Sequence, residues 1–161
     1  MKISSEFNYR NAKEIILQYN PKLLNEIYEI LNNKENKLNL DLIHGKSQRD
    51  TSKQIKKFFL DKKWNEEKSC KAIPEMKYDL VKDENFPLEI EVGHMRLIYA
   101  DLFEFLADYS KEFIKAGIII VCGDPIKFGH IWQNSIKSTA KKIIAIKENL
   151  LVPILIIGIE P

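Results

Sequence analysis

The stretch Met76-Lys77-Tyr78-Asp79-Leu80-Val81, followed after Lys82 to Phe86 by Leu88-Glu89-Ile90-Glu91-Val92-Gly93, decides how this chain is read. Apolar residues recur there at every second position, and side chains on an extended strand alternate between its two faces. The polar break between the two runs predicts a β-hairpin. With the turn centred on Glu84, Leu80 faces Leu88, Tyr78 faces Ile90 and Met76 faces Val92, giving one continuous apolar face. On the other face Asp79 falls across from Glu89 and Lys77 across from Glu91, with facing Cβ atoms about 5 Å apart.

Two carboxylates set opposite one another repel, and nothing in the local pattern cancels that cost. A hard divalent cation would, because Mg²⁺ is commonly held by one or two carboxylates with water and substrate phosphate completing its octahedron. Asp79 and Glu89 are therefore candidate metal ligands. Glu91, about 7 Å further along the same face, makes a cluster of three. The same pattern also fits a plain solvated face, on which Lys77 and Glu91 form a cross-strand ion pair while Asp79 and Glu89 point apart into water.

Outward from the hairpin the period becomes helical. Towards the N-terminus, Ile15, Ile16, Leu23, Leu24, Ile27, Ile30 and Leu31 recur at three- and four-residue spacings, with Asn20-Pro21 between them as a cap and first-turn proline. Helices are expected over 10–19 and 21–32, so that the first third reads as helical. A third helix is expected from Asp50 or Thr51, carrying Ile55, Phe58, Phe59 and Trp64 on one side. Towards the C-terminus, Ile98, Leu102, Phe105, Leu106, Tyr109 and Phe113 predict a helix over about 97–115 that ends near Gly117. Ile118 to Val121 reads as a buried strand stopped by Gly123-Asp124-Pro125, Trp132 to Ile144 as a helix, and Val152 to Ile159 as a second buried strand. This order predicts an α/β fold in which a central mixed sheet, the hairpin plus two later strands, is flanked by helices and the last two strands lie side by side.

The 161 residues are expected to form a single domain, with a helical part over 1–45 and the core over 46–161. With 25 Lys and Arg against 23 Asp and Glu, the net charge of +2 excludes a histone-like polycation and an acidic disordered tail. Leu150 to Ile159, the longest apolar stretch, contains Pro153 and Gly158 and is too short to cross a bilayer. Met1 to Glu6 has no apolar leader, so a cytoplasmic location is expected. Cys70 and Cys122 stand alone and read as ordinary thiols. Between His44 and Lys71 there are nine Lys or Arg and four Asp or Glu, a density that suits either a solvated helix face or a phosphate-facing surface.

The sequence Tyr78-Asp79-Leu80 … Leu88-Glu89-Ile90-Glu91-Val92-Gly93-His94 resembles the active-site hairpin of the PD-(D/E)XK nucleases. It is most similar to the BglII/BamHI-type restriction endonucleases, in which Glu or Gln replaces the motif's lysine to give Asp … Glu-x-Glu. The likeness extends to Trp64-Asn65-Glu66-Glu67, Tyr99-Ala100-Asp101-Leu102-Phe103, Ala116 to Val121 and Val152 to Pro161. It implies a restriction-endonuclease-like core and Mg²⁺-dependent hydrolysis of phosphodiesters in double-stranded DNA, with Mn²⁺ as an alternative ion. Asp79 and Glu89 would ligate the ion together with the backbone carbonyl of Ile90. Glu91, in the lysine position, would orient or deprotonate the attacking water or ligate a second metal. Some relatives add an upstream carboxylate, for which Asp61 and Glu66 are both candidates. His94 and Arg96 would contact the DNA backbone, and Lys53, Lys56, Lys57, Lys62 and Lys63 would face phosphates. Lys137, Lys141 and Lys142 suit either the opposite rim or solvent.

Cleavage of both strands of a duplex would call for a homodimer, with the 97–115 helix as its interface. At 161 residues the chain is shorter than typical restriction enzymes, which leaves sequence specificity open. The competing expectations are a non-catalytic DNA-binding or assembly module that keeps the fold, and a small protein-interaction domain.

Overall fold

The computed structural model describes residues 1–40, 48–93, 96–129 and 134–161. Its centre is a six-stranded sheet of order β1-β6-β5-β4-β3-β2. The strands are β1 (Lys2–Tyr9), β2 (Asn65–Ser69), β3 (Lys77–Val81), β4 (Leu88–Ile90), β5 (Gly117–Cys122) and β6 (Ile154–Glu160). The helices are α1 (Ala12–Tyr19), α2 (Pro21–Asn32), α3 (Gln48–Leu60), α4 (Ile98–Ser110) and α5 (Ile136–Ala145).

β4, β5 and β6 are parallel, and the order strand, helix, strand from β5 through α5 to β6 is the expected crossover. β1, β3 and β2 run antiparallel to their neighbours. The sheet is therefore mixed and flanked by helices, as the sequence predicts. β5 is buried at every position, and its alternate side chains enter different cores. Ile118, Ile120 and Cys122 meet α1, α2 and α3, whereas Ile119 and Val121 meet α4 and α5. A near-continuous apolar run is what a strand covered on both faces requires.

Local chemistry sets several boundaries. Asn20 Oδ1 accepts from the Leu23 N–H at 3.1 Å, and Pro21 opens α2. Ser135 and Ser138 form a reciprocal cap at the start of α5. In the hairpin turn, Asp83 Oδ1 accepts from the Asn85 N–H at 2.9 Å.

Several expectations need correction. The first third is not wholly helical: Lys2–Tyr9 forms an edge strand against β6, and its weak, partly exposed pattern carries little periodic signal. α1 starts at Ala12 rather than at residue 10, because Arg10 and Asn11 turn the chain with φ of 51° and 57°. Residues 65–69, to which the sequence reading assigns no strand, form β2, whose side chains are all exposed and so show no alternation. Trp64 lies beyond α3, though it still packs edge-on against Phe59 at 5.1 Å. α4 stops at Ser110, with Glu112 at a φ of 61°, so Phe113 is not part of its stripe.

The hairpin keeps its Leu80–Leu88 register, but Tyr78 does not share a face with Leu80. Tyr78 joins the α4 core while Leu80, Leu88 and Ile90 join the α1–α3 core. Its ring stacks on Phe105 at 5.6 Å. His44, His94, His130 and Trp132 lie outside the described residues. Among the described residues no helix is long and apolar enough to cross a membrane.

Phe105 is fully buried between Tyr78 and Gly117, where an added Cβ would come within 2.5 Å of the ring. Phe105→Ala is expected to cost about 3–5 kcal/mol, read as a lower urea midpoint.

Candidate functional site

β3 and β4 part company immediately after the Leu80–Leu88 pair, and the side chains of Asp79 and Glu89 fill the fork. The Asp79 N–H donates to both Glu89 carboxylate oxygens at 3.3 Å, and the Ile90 N–H donates to Asp79 Oδ2 at 3.0 Å. Each carboxylate thus accepts from the backbone of the opposite strand where a ladder bond would otherwise form. Beyond the fork β4 follows β5, with the Glu91 N–H donating to the Ile120 carbonyl at 2.8 Å. β3 follows β2, so Lys77 lies opposite Ser69 and its ammonium lies 3.5 Å from Glu67. The expected Lys77–Glu91 pairing is therefore replaced.

The divergence aims the acidic groups differently. Glu89 is 5% exposed and, lying between Leu88 and Ile90 on the strand, points towards α4, where Asp101 and Glu104 act on its charge. Asp79 Oδ1 accepts from Lys56 Nζ of α3 at 2.8 Å. Glu91 Oε2 accepts from Asn134 Nδ2 at 3.1 Å. The Ile90 carbonyl lies 3.5 Å from Ser52 Oγ. A cleft of about 600 Å³ runs past Ser52, Lys53, Lys56, Glu66, Asp79 and Glu91.

The electrostatics follow from burial. The Glu89 carboxyl is held well above its usual pKa by desolvation, then by Asp101, Asp79 and Glu104. Asp101 is raised by burial, then by Glu91, Glu104 and Asp79. Burial followed by Asp79 pushes Glu91 up to about 7, against opposing pulls from Asn134 and Lys142. Glu104 rises to about 7 through burial, then Asp79 and Asp108. Among the described residues, Asp101 Oδ2 and Glu104 Oε2 are buried without a hydrogen-bond partner.

Hard oxygen donors, an excess of like charge and two orphaned carboxylate oxygens suit a divalent cation. Among the described residues no three acidic, histidine or cysteine side chains already converge as a ready cage for an ion.

The structure joins Asp79 to Glu89 and to the Ile90 backbone and places Glu91 in the cleft beside Asp79, but it does not gather the three carboxylates on one face as the sequence predicts: Glu89 is buried, whereas Asp79 and Glu91 line the cleft. Of the two upstream candidates, Glu66 lines the cleft from β2, whereas Asp61 lines a different pocket with Glu26, Glu29 and Asn36. α3 instead turns cations towards the site: Lys53 and Lys56 line the cleft, and Lys57 is exposed. Arg96 is exposed in the turn that precedes α4.

Asp101, Glu104 and Asn134 are not read from sequence as site residues, and Lys142 is read only as a lysine of the opposite rim or of solvent. A signal existed for the first. Asp101 and Asp108 interrupt the spacing Ile98, Asp101, Phe105, Asp108 at core-facing positions of α4, and acidic residues on such a stripe need an explanation. Asp108 has a structural one. It accepts from Tyr78 Oη at 2.9 Å, Cys70 Sγ at 3.2 Å, and the Lys71 and Ala72 N–H groups at 3.1 and 2.6 Å. These bonds clamp α4 to the turn between β2 and β3. Both cysteines are buried thiols.

The family model for restriction endonuclease BglII/BglIII matches residues 4–159, nearly the whole chain, and the protein belongs to that family. No curated protein matches the sequence. Membership in a family of endonucleases implies DNA binding and phosphodiester hydrolysis as the chemistry to consider.

The raised carboxyls make stability depend on pH. Each keeps its proton in the folded chain at pH values where the unfolded chain has lost it, so the folded state binds more protons and stability falls as pH rises. For Glu91 and Glu104 the fall runs from about 4.5 to beyond about 7. In chelator, the melting temperature of the wild type is expected to decline over that window more steeply than that of Glu89→Gln. Mg²⁺ is expected to stabilise the wild type more at pH 8 than at pH 5, as thermal denaturation would record.

Proposed function

We propose that this protein is a Mg²⁺-dependent endonuclease that hydrolyses phosphodiester bonds in double-stranded DNA, a type II restriction-endonuclease-like enzyme of PD-(D/E)XK chemistry. The observation that carries this reading is the pairing of Asp79 with Glu89 at the fork of β3 and β4, with Glu91 lining the same cleft as Asp79, in a chain of the BglII/BglIII family. Asp79, Glu89 and the Ile90 carbonyl would hold Mg²⁺ or Mn²⁺. The bound ion would polarise the scissile phosphate and lower the pKa of its water.

Glu91 is the residue suited to orient that water or accept its proton. Its carboxylate lines the cleft beside Asp79 and is held by the Asn134 amide, within reach of a water in that cleft. Lys56, beside Asp79, and Lys53 in the same cleft put positive charge where a phosphate would enter. Arg96, Lys57 and His94 complete the proposed backbone contacts. Leu97, Tyr99 and Phe103 are all more than half exposed on and just before α4, which supports that helix as the contact between two copies acting on a two-fold duplex site. Such an enzyme would work in the cytoplasm.

One observation favours a second reading, a non-catalytic DNA-binding or assembly module: Lys56 already neutralises a ligand oxygen of Asp79. Plasmid cleavage separates the two. Glu89→Ala is expected to abolish nicking in Mg²⁺ with an unchanged circular dichroism spectrum, and unchanged cleavage would remove Glu89 from the chemistry.

DNA retention read by gel retardation in Ca²⁺ tests the basic surface independently. Replacing Lys53 and Lys57 by Ala together is expected to weaken binding to all sequences alike and to lower the slope of log K against log salt by about 0.9 per lost phosphate contact.

A further inference from the structure

Asn134 is fully buried, and its carboxamide lies between two groups of the site. Nδ2 donates to Glu91 Oε2 at 3.1 Å, and Oδ1 accepts from Lys142 Nζ at 3.0 Å. The direction of this relay is fixed by chemistry. An ammonium has donors only, so the amide oxygen must face Lys142 and the amide nitrogen must face Glu91.

The backbone of Asn134 is pinned as firmly as its side chain. Its N–H donates to the Gly93 carbonyl at 2.9 Å, and its carbonyl accepts from the Cys122 N–H at 3.1 Å. Gly93 follows two residues after Glu91, and Cys122 ends β5. The next residue, Ser135, bridges to Cys122 and caps α5. Lys142, on α5, also lies over the ring of Tyr99 on α4 at 5.5 Å from its centroid. Asn134 is thus tied to the end of β5 and to the segment that follows β4, and its side chain joins α5 to the carboxylate of Glu91.

We propose that Asn134 is a positioning residue that fixes the Glu91 carboxylate in its working orientation, and that Lys142 locks the Asn134 amide so that it presents its donor. This rests on the reading of Glu91 as the group that orients or deprotonates water. A glutamate has three side-chain torsions to settle, and a donor held in place before reaction removes that freedom in advance. An asparagine that served packing alone would not need its donor end directed at the site.

The test is cleavage of plasmid DNA in Mg²⁺ by the full chain, with DNA affinity measured separately in Ca²⁺. Asn134→Ala and Asn134→Asp are expected to lower kcat by about 10- to 100-fold, while KM and the affinity in Ca²⁺ stay at wild-type values. Lys142→Met, which leaves Asn134 in place but unlocks its amide, is expected to lower kcat several-fold, and Lys142→Arg to restore most of that loss because arginine also only donates. Should the Asn134 variants fail to fold, the two Lys142 variants decide the matter. Wild-type kcat in Asn134→Ala or in Lys142→Met overturns the positioning role alone. A kcat loss that follows KM and thermal stability overturns it too, in favour of a structural role. A wild type that cleaves no DNA overturns this inference together with the nuclease reading, an outcome distinct from the other two.

Discussion

The crossed hydrogen bonds at the fork of β3 and β4, from the Asp79 N–H to Glu89 and from the Ile90 N–H to Asp79, hold the rest of the site in place. Two acidic side chains would ordinarily separate, yet here each is anchored by a backbone N–H at or beside the other. Those donors are free because β3 stays with β2 while β4 stays with β5. A splayed pair of strands leaves polar groups that must be satisfied, and carboxylates satisfy them while keeping lone pairs for other partners. The electrostatic tension of the site is therefore a consequence of sheet topology.

The helices on either side divide the charge. α3 supplies Lys56 to Asp79 and Lys53 to the cleft. α4 supplies Asp101 and Glu104, both buried and each with one oxygen that finds no partner among the described residues. Rigid supports hold these opposed layers. Asp108 clamps α4 to the turn before β3, and the α3 side is closed by Phe59 and Trp64, whose indole nitrogen donates to Glu26 at 2.7 Å. The result is a set of buried carboxyls held above their ordinary range, beside a cleft in which Lys53 and Lys56 face the carboxylates of Glu66, Glu67, Asp79 and Glu91.

Much of this was legible along the chain. The period-two runs around Asp79 and Glu89, the apolar runs at 118–121 and 152–159 and the capped helix at Pro21 each report a local requirement, and each element formed. What failed did so for physical reasons. β1 and β2 are edge strands with exposed side chains, so neither face was marked by hydrophobicity. Tyr78 changed faces because the fork breaks the regular pleat that the alternation assumed. Asn134 gave no warning, since its partners lie at Glu91, Gly93 and Lys142, far apart in sequence or on different elements.

By itself, then, the sequence determined the type and order of most elements, the Leu80–Leu88 register and the meeting of Asp79 with Glu89, because alternation and capping act over a few residues. Only the tertiary structure decided that Lys77 leaves Glu91 for β2, that α4 brings Asp101 and Glu104 towards Glu89, and that Asn134 links Lys142 to Glu91. Those choices depend on which strand a backbone pairs with and which helix covers it, and such pairings are settled by the packing of the whole sheet between its two layers.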